Sequence, residues 1–247
     1  MFFEAVGGKD KFKEKFRIKV LIMKRLIPIL FLLLISMVAC NSKTDKINQS
    51  DSKGTTVTPK AQPVVEKTKP VITLYLQPYN GFPRDKVQKL QSDVQHCLDT
   101  LIPERKFEVK LKDNIDLPEN CYYKPRSRWR ADSILDFQNR IDGKNYTIGV
   151  LTQDISSTEH GYQDWGVQGL GSMPGKNAVV STFRVKNKSL FYKVIVHEFL
   201  HNLGLDHCPY NAPSCYICDG YVHPELEPQT RLCEYCKKEL LRKIDGE

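Results

Sequence analysis

The twelve-residue segment HEFLHNLGLDHC, which begins at His197, constrains the fold of this 247-residue chain more than any other. His197 and His201 are four residues apart, so on a helix both imidazoles project from one face. They can bind one zinc ion there, with Glu198 beside the metal. Gly204 allows the chain to leave the helix, and His207 can then turn back as a third ligand. Three protein ligands leave one tetrahedral position open, which is typical of a catalytic zinc site.

The full spacing of this segment is far more specific than its first five residues. H-E-x-x-H alone occurs by chance in on the order of one chain in a hundred of this composition, and the added glycine and third histidine lower that to roughly one in a hundred thousand. The preceding Val194, Ile195 and Val196 supply apolar positions for a helix packed into a core. The sequence therefore predicts a buried, zinc-binding helix.

The net charge gives no support for binding to nucleic acid. The formal charge is +8, but residues 1–39 hold 8 Lys and Arg against 3 Asp and Glu. Residues 40–247 therefore carry 29 basic against 26 acidic side chains, a balance of +3. A nearly neutral domain lacks the excess of positive charge that phosphate backbones require. We expect no nucleic-acid partner.

Residues 1–39 have the pattern of an export signal, with Met23 as the expected true start. A basic Lys24-Arg25 precedes an apolar run of about 14 residues, whereas a membrane span needs about 20. The segment that ends at Ala39 and Cys40 resembles the lipobox of bacterial lipoproteins, which implies a lipidated Cys40. An uncleaved signal anchor is the alternative. Both predict an extracytoplasmic protein attached to the membrane at the cell envelope.

Residues 40–70 are polar and rich in Ser, Thr, Lys, Asp and Pro, which predicts a flexible tether. Residues 71–247 alternate between strand and helix patterns, which predicts an α/β (α+β) domain with a mixed sheet. Glycines between 161 and 171 mark turns and an edge strand near the cleft. The predicted strands are VITLYL from Val71, Phe107–Leu111, Tyr146–Leu151 and Val179–Phe183, and the predicted helices are Asp85–Leu101 and Arg128–Ile141, with Ile134, Leu135 and Ile141 facing inward.

Five of the eight cysteines follow the histidine motif, and they form either a metal site or a disulfide framework. Seven cysteines remain after lipidation of Cys40, an odd number that cannot pair completely within one chain. The spacing C-x-x-C-x14-C-x-x-C would select a zinc ribbon that begins at Cys215 and includes Cys218. A nucleic-acid module of that kind is disfavoured by the export signal and the charge. The five cysteines are Cys208, Cys215, Cys218, Cys233 and Cys236.

At these residues the chain resembles the archaemetzincins, a metzincin-type family of zinc metalloproteases. The family motif H-E-x-x-H-x-x-G-x-x-H is followed directly by Cys, then by C-x-M and C-x-x-C. The resemblance implies a compact metzincin-like zinc-protease domain with an active-site helix and a cysteine-rich C-terminal zinc-binding segment. It implies that His197, His201 and His207 bind a catalytic zinc, that Glu198 is the general base, and that Cys208, Cys215, Cys233 and Cys236 bind a second, structural zinc.

Three departures from the family pattern concern the cysteine segment. Ile217 replaces the methionine, six residues rather than four separate Cys208 from Cys215, and Cys218 is an extra cysteine that could replace Cys208 as a ligand. Ile is apolar and close to Met in volume, so the floor of the site can persist. Export is also unusual for a family that is commonly cytosolic.

The expected function is a zinc metallopeptidase that hydrolyses peptide bonds of peptide or protein substrates by Glu198-assisted attack of zinc-bound water. The alternative is a catalytically inactive zinc-containing envelope lipoprotein that binds a peptide or protein partner. Glu198 favours the enzyme, because a purely structural site needs no base. The remaining histidines are expected to make surface or hydrogen-bonding contacts, and the tryptophans to anchor core or loops; they are His96, His160, His223, Trp129 and Trp165.

Overall fold

The computed structural model of the protein describes residues 69–246. The predicted signal segment, Met23, the predicted lipidation site Cys40 and nearly all of the predicted tether lie outside them. Among the described residues, none of the helices has the length and apolarity needed to cross a membrane.

Strands and helices alternate through most of the described chain, as the pattern of apolar residues predicts. Short 3₁₀ turns at Glu119–Cys121, Lys124–Arg126 and Lys188–Leu190 join some of them. In chain order the strands and helices are β1 (Ile72–Pro78), α1 (Arg84–Leu101), β2 (Phe107–Leu111), β3 (Tyr122–Tyr123), β4 (Arg128–Arg130), α2 (Ala131–Asp142), β5 (Tyr146–Leu151), β6 (Ile155–Glu159), β7 (Tyr162–Val167), β8 (Gly169–Gly171), β9 (Asn177–Ser181), α3 (Phe191–Asn202) and α4 (Glu234–Asp245).

The main sheet has five strands in the order β2-β1-β5-β9-β8. Its first four strands are parallel, and β8 pairs with β9 in the antiparallel sense, so the predicted mixed sheet is confirmed. Ala178 and Val180 of β9 pack into the core that holds α1 and α3, whereas Val179 packs with α2 on the opposite face. This alternation buries both faces of the sheet under helices, as in other α/β folds.

A second, smaller sheet has the strand order β3-β4-β6-β7. Its β6–β7 hairpin turns at His160 and Gly161, which have φ angles of +53° and +80°. Glu159 and Tyr162 flank this turn as a cross-strand pair. Two consecutive residues with positive φ match the type I′ turn, whose twist suits a two-residue hairpin.

Several predicted bounds are confirmed and others are wrong. β2 and β5 have the predicted bounds. The five apolar residues whose helical spacing predicts α1 are all buried; they are Val87, Leu90, Val94, Leu98 and Leu101. The helix predicted from Arg128 begins instead at Ala131, because Arg128 and its neighbours pair with β3 and β6 as strand β4. Ile141 was predicted to face inward and Phe183 to end a strand, but the side chains of both are more than half exposed. Helix α4 and strands β3, β4 and β6 were not predicted.

Candidate active site and cysteine cluster

Helix α3 carries the histidine motif, and it is buried along most of its length. Its last residue, Asn202, anchors it to the β8–β9 hairpin. The side-chain amide of Asn202 donates to the carbonyls of Ser172 and Asn177 at 2.9 and 3.0 Å. A helix held at its end in this way keeps its histidines fixed relative to strand β8.

The helix ends at the glycine that the motif predicts. Gly204 has a φ of +89°, and its N–H donates to the carbonyl of His201 at 2.8 Å. The N–H of Leu205 donates to Leu200 at 3.0 Å, which completes a Schellman motif. The carbonyl of Leu205 then lies 2.8 Å from Nδ1 of His201. The turn therefore supplies a hydrogen-bond acceptor that orients a ring of the same helix.

His197 is oriented in the same manner by a distant segment. Its Nδ1 lies 2.9 Å from the carbonyl of Tyr216. A carbonyl oxygen only accepts, so both His197 and His201 carry their proton on Nδ1 and leave Nε2 as a lone pair. The two Nε2 atoms lie 3.1 Å apart. Three-ångström separation of two lone pairs is unfavourable without a cation between them.

Protonation of either ring does not relieve the repulsion between the two Nε2 lone pairs, because both histidines are neutral at pH 7. Burial lowers the pKa of His197 to about 3, with the neighbouring His201 acting in the same direction. Burial also lowers the pKa of His201 to about 4. Two zinc ligands at Zn–N distances near 2.05 Å lie about 3.3 Å apart in a tetrahedron, close to the separation observed. The neutral rings therefore fit a zinc ion.

His207 completes the group. The ring centroids of His201 and His207 are 4.8 Å apart, and those of His197 and His207 are 5.4 Å apart. One ring nitrogen from each of the three residues lies within 4.8 Å of the others. His207 is exposed whereas His201 is buried, so this group of histidines is open to solvent on the His207 side.

Glu198 lies next to the glycines of strand β8. A Cβ added at Gly169 would lie 2.6 Å from Oε1 of Glu198, and one added at Gly171 would lie 2.9 Å from Oε2. Burial raises the pKa of Glu198 to about 8, and the negative charge of Glu159 adds to this rise. A zinc ion at the histidines would oppose it, because its charge favours the carboxylate. The two glycines give the carboxylate its space.

Four of the five C-terminal cysteines form a second cluster. The thiols of Cys208, Cys215, Cys233 and Cys236 all lie within 4.8 Å of one another. The Cys208 and Cys233 sulfurs are 3.8 Å apart, far longer than the 2.05 Å of a disulfide but equal to the roughly 3.8 Å between two thiolates on a tetrahedral zinc. The seven cysteines of the described residues are all free.

The fifth cysteine, Cys218, stands apart from this cluster. Its thiol accepts a hydrogen bond from the side chain of Gln229 at 3.5 Å, and burial raises its pKa.

Within the cluster, the pKa values of two cysteines shift in opposite directions. Burial raises the pKa of Cys215 to about 11. Burial acts to raise the pKa of Cys208 too, but hydrogen bonds from the backbone of Ala212 and Tyr210 and from the side chains of Cys233 and Cys236 together outweigh it and lower the pKa. Cys208 thus has the microenvironment of a thiolate.

One short segment connects the two groups of ligands. Cys208 follows His207 directly, and its N–H donates to the carbonyl of Ile217 at 2.7 Å. Tyr216 orients His197 through its carbonyl, while its N–H donates to Arg231 at 2.8 Å. Ile217 is fully buried in the core next to them. The segment in which Ile replaces the family methionine therefore supports both sites.

Several supporting groups were not predicted. The hydroxyl of Tyr216 accepts from the thiol of Cys97 at 3.2 Å, a contact between residues 119 positions apart that no local pattern reveals. The spacing of Gly169 and Gly171 on one face of a strand is a signal that could have indicated close approach to the site. His96, His160 and His223 belong to neither group of ligands within the described residues.

Archaemetzincins of two archaea are similar in sequence to about half of this chain. No family model matches the chain. The archaemetzincin of Methanopyrus kandleri is 32% identical over 146 residues, which are 55% of this chain and 79% of that protein. The archaemetzincin of Halobacterium salinarum is 30% identical over 147 residues, 53% of this chain and 82% of that protein.

Solved structures extend this similarity to the fold. The crystal structure of archaemetzincin from Methanopyrus kandleri aligns with a TM-score of 0.58 at 23% identity, over 70% of this chain and 96% of that one. The structure from Archaeoglobus fulgidus, complexed with malonate, gives 0.55 at 24% identity, over 68% and 99%. Together with the sequence relatives, these comparisons establish that the chain belongs to the archaemetzincin family of zinc metallopeptidases.

Proposed function

We propose that this peptidase holds its catalytic zinc on His197, His201 and His207 and uses Glu198 as general base. The observation that carries this proposal is the pair of neutral imidazoles whose Nε2 atoms face each other at 3.1 Å. Both rings are fixed through Nδ1 by backbone carbonyls, so their lone pairs converge on one point. Such carbonyl contacts are the usual partners of zinc-binding histidines.

A zinc ion held by His197, His201 and His207 would supply an acidified water molecule and a Lewis acid for the carbonyl of the scissile bond. Glu198 accepts the proton of the attacking water and passes it to the amine that leaves. Its carboxylate suits this role because it is only 7% exposed and is confined by the glycines of β8. A base in a confined position needs little reorganisation during proton transfer.

The substrate would bind as an extended peptide along strand β8. This strand is at the end of the five-stranded sheet, and within the described residues its outer edge pairs with no strand. An extended peptide can add to such an edge through main-chain hydrogen bonds. Gly169 and Gly171 bring that edge directly next to Glu198. The scissile bond would thus pass close to the base.

The four clustered cysteines would bind a structural zinc, giving two zinc ions per chain. The separation of the Cys208 and Cys233 sulfurs fits a Cys₄ site, in which all four positions are occupied by protein. The N–H of Cys233 also donates to the Cys215 sulfur at 3.5 Å, which favours a thiolate there. Cys218 would not be a ligand.

Attachment to the cell envelope is the remaining part of the proposal. The basic start, the apolar run and the small Ala39 before Cys40 support export and lipidation, with residues 40–70 as tether and 71–247 as the peptidase domain. Mass spectrometry of the mature N-terminus tests this, and we expect a lipid-modified Cys40. An intact Met1 or Met23, or an unmodified Cys40, would contradict it.

Comparison of the wild type with Glu198→Ala tests the catalytic role. The variant should keep its zinc, because Glu198 is not a ligand, and lose at least about 10²-fold in kcat, the usual contribution of a general base. Glu108→Ala, an exposed acidic residue on β2, is the matched control and should cleave normally. Peptide-library cleavage and zinc content would be measured for all three proteins.

Equal background cleavage by the wild type and Glu198→Ala at full zinc occupancy would contradict the mechanism. It would favour the zinc-containing lipoprotein that only binds a peptide or protein.

A further inference from the structure

An exposed group of aromatic side chains lies outside both groups of metal ligands. We call it the aromatic patch; it consists of His160, Tyr162 and Trp165 of the β6–β7 hairpin and Tyr221 of the C-terminal segment. Ring centroids lie 5.5 Å apart for His160 and Trp165, 5.4 Å for His160 and Tyr221, and 5.7 Å for Tyr162 and Trp165. Tyr162 and Tyr221 are 62% and 68% exposed. Burial therefore does not explain why these rings gather here.

Glu159 adds a negative charge to the aromatic patch. Its Oε1 accepts from the hydroxyl of Ser157 at 2.8 Å, and its Oε2 lies 3.9 Å from Nε2 of His160. Between residues 69 and 246, no lysine or arginine forms an ion pair with it. The other acidic side chain of the same hairpin, Asp164, is paired with Arg126 and Arg128. Glu159 is left available to a cation.

The aromatic patch joins the two segments that build the catalytic site. Its hairpin strand β7 continues through Gln168 into β8, whose glycines contact Glu198. Tyr221 follows four residues after Ile217, the segment that orients His197. The ring of His160 packs against Trp165 and Tyr221 and so connects the two segments. A peptide bound along β8 would therefore pass this patch.

We propose that the aromatic patch and Glu159 form a substrate subsite for a lysine or arginine side chain. A cation gains from the faces of Trp and Tyr rings and from a carboxylate at the same place. A neutral apolar side chain would desolvate Glu159 without giving it a partner, and an acidic one would be repelled. The proposal rests on the peptidase function proposed above, because the ligand is a residue of its substrate.

The rigid turn supports this role. Glu159 and Tyr162 are held as a pair by the type I′ turn, and the left-handed backbone at His160 fixes the direction of its side chain. The Trp165 and Tyr221 rings meet at an interplanar angle of 46° with centroids 6.3 Å apart, so they diverge rather than stack. A preformed arrangement of this kind loses little entropy when a flexible lysine binds.

The test uses the zinc-loaded full chain and pairs of peptides that differ only by lysine or acetyl-lysine at one position near the scissile bond. Acetylation removes the charge and keeps the chain length, so the ratio of the two kcat/KM values isolates the cation. We expect lysine to be preferred by about tenfold at one position. Glu159→Gln, which retains the acceptor for Ser157, should bring the ratio close to one, and Tyr221→Ala should lower it several-fold.

Tyr123→Ala is the matched control. Tyr123 is an exposed tyrosine at the opposite edge of the same four-stranded sheet, and its removal should leave the ratio unchanged. Zinc content should be equal in all variants. Peptide cleavage with no preference for lysine at any position, or a preference that survives in Glu159→Gln, would overturn the subsite while leaving the peptidase function intact.

Failure of the peptidase function would appear differently, as no cleavage of any peptide by the wild type. Calorimetric titration with the same peptide pairs would then decide on the subsite. Tighter binding of the lysine peptide that is lost in Glu159→Gln would support the subsite without catalysis. Equal binding of the two peptides would overturn it.

Discussion

The histidine group and the cysteine cluster adjoin in sequence but are built in opposite ways. His197 and His201 are four residues apart on one helix, whereas Cys208 and Cys233 are 25 residues apart. His207 is exposed, whereas Cys208, Cys215 and Cys236 are buried. Closing a long loop costs more entropy than joining two neighbours on a helix, so the cysteine site should matter more for folding. The open histidine site is suited to substrate access.

The largest expected effect is on folding, and it separates the two sites. Cys233→Ser should lose the structural zinc and destabilise the C-terminal segment by more than about 4 kcal/mol, as the loss of a structural metal does. His201→Ala should lose the catalytic zinc and all activity yet retain the native fold, because the core around α3 does not depend on that ligand. Circular dichroism, thermal melting and metal analysis measure both.

Two zinc ions in the wild type and one in each variant are expected from this comparison. One zinc with several disulfides in the wild type would refute the cysteine site. Equal loss of structure in the two variants would refute the division of roles between them.

The second expected effect concerns the space around the base in the open site. Gly169→Ala places a Cβ 2.6 Å from Oε1 of Glu198, so the carboxylate must move. Since displacement of a catalytic group by about 1 Å can cost about 10²-fold, kcat should fall by about that factor while zinc stays bound. Gly220→Ala is the control, because its added Cβ meets nothing within 4 Å. Normal turnover by Gly169→Ala would show that Glu198 needs no such confinement.

The sequence predicted the histidine site more fully than the cysteine site. The reason is that the histidines lie close together along the chain, whereas the cysteines do not. The motif alone places His197, His201 and Glu198 on one helix and Gly204 at its end, and the structure brings all three histidines together. The choice of Cys208 over Cys218 was not decided by spacing, because both spacings fit known zinc sites. The resemblance to the family selects Cys208, and in the structure its thiol lies with those of Cys215, Cys233 and Cys236, which is a tertiary feature.

The strands of the smaller sheet also depend on contacts between distant residues, which local sequence patterns do not predict. Arg128–Arg130 was assigned to a helix because the apolar residues that follow have helical spacing. The ion pairs of Arg128 with Asp154 and Asp164, at 2.8 Å each, fix it instead as a strand beside β6. These partners are more than 25 residues away along the chain, so local propensity could not reveal them. The contact between His160 and Tyr221 in the aromatic patch is hidden for the same reason.

The smallest expected effect concerns the hydrogen bond between Cys97 and Tyr216. It tests whether this buried contact helps to orient His197 in the histidine site. The Cys97 thiol donates to the hydroxyl of Tyr216, whose carbonyl orients His197. Cys97→Ala leaves that buried hydroxyl without this donor, so Tyr216 can shift and the zinc affinity of the histidine site should fall by about tenfold, at the low end of effects for residues that orient ligands. Competition with a chelator measures the affinity.

Two variants distinguish this positioning role from a loss of packing. Cys97→Ser keeps a hydrogen-bond donor and should recover most of the zinc affinity. Cys121→Ala removes a fully buried thiol in the other hydrophobic cluster, which packs around α2, and should lower the melting temperature without changing zinc affinity. If Cys97→Ala and Cys121→Ala weakened zinc binding equally, the effect would be one of general stability, and the orientation of His197 would depend on the Tyr216 backbone alone.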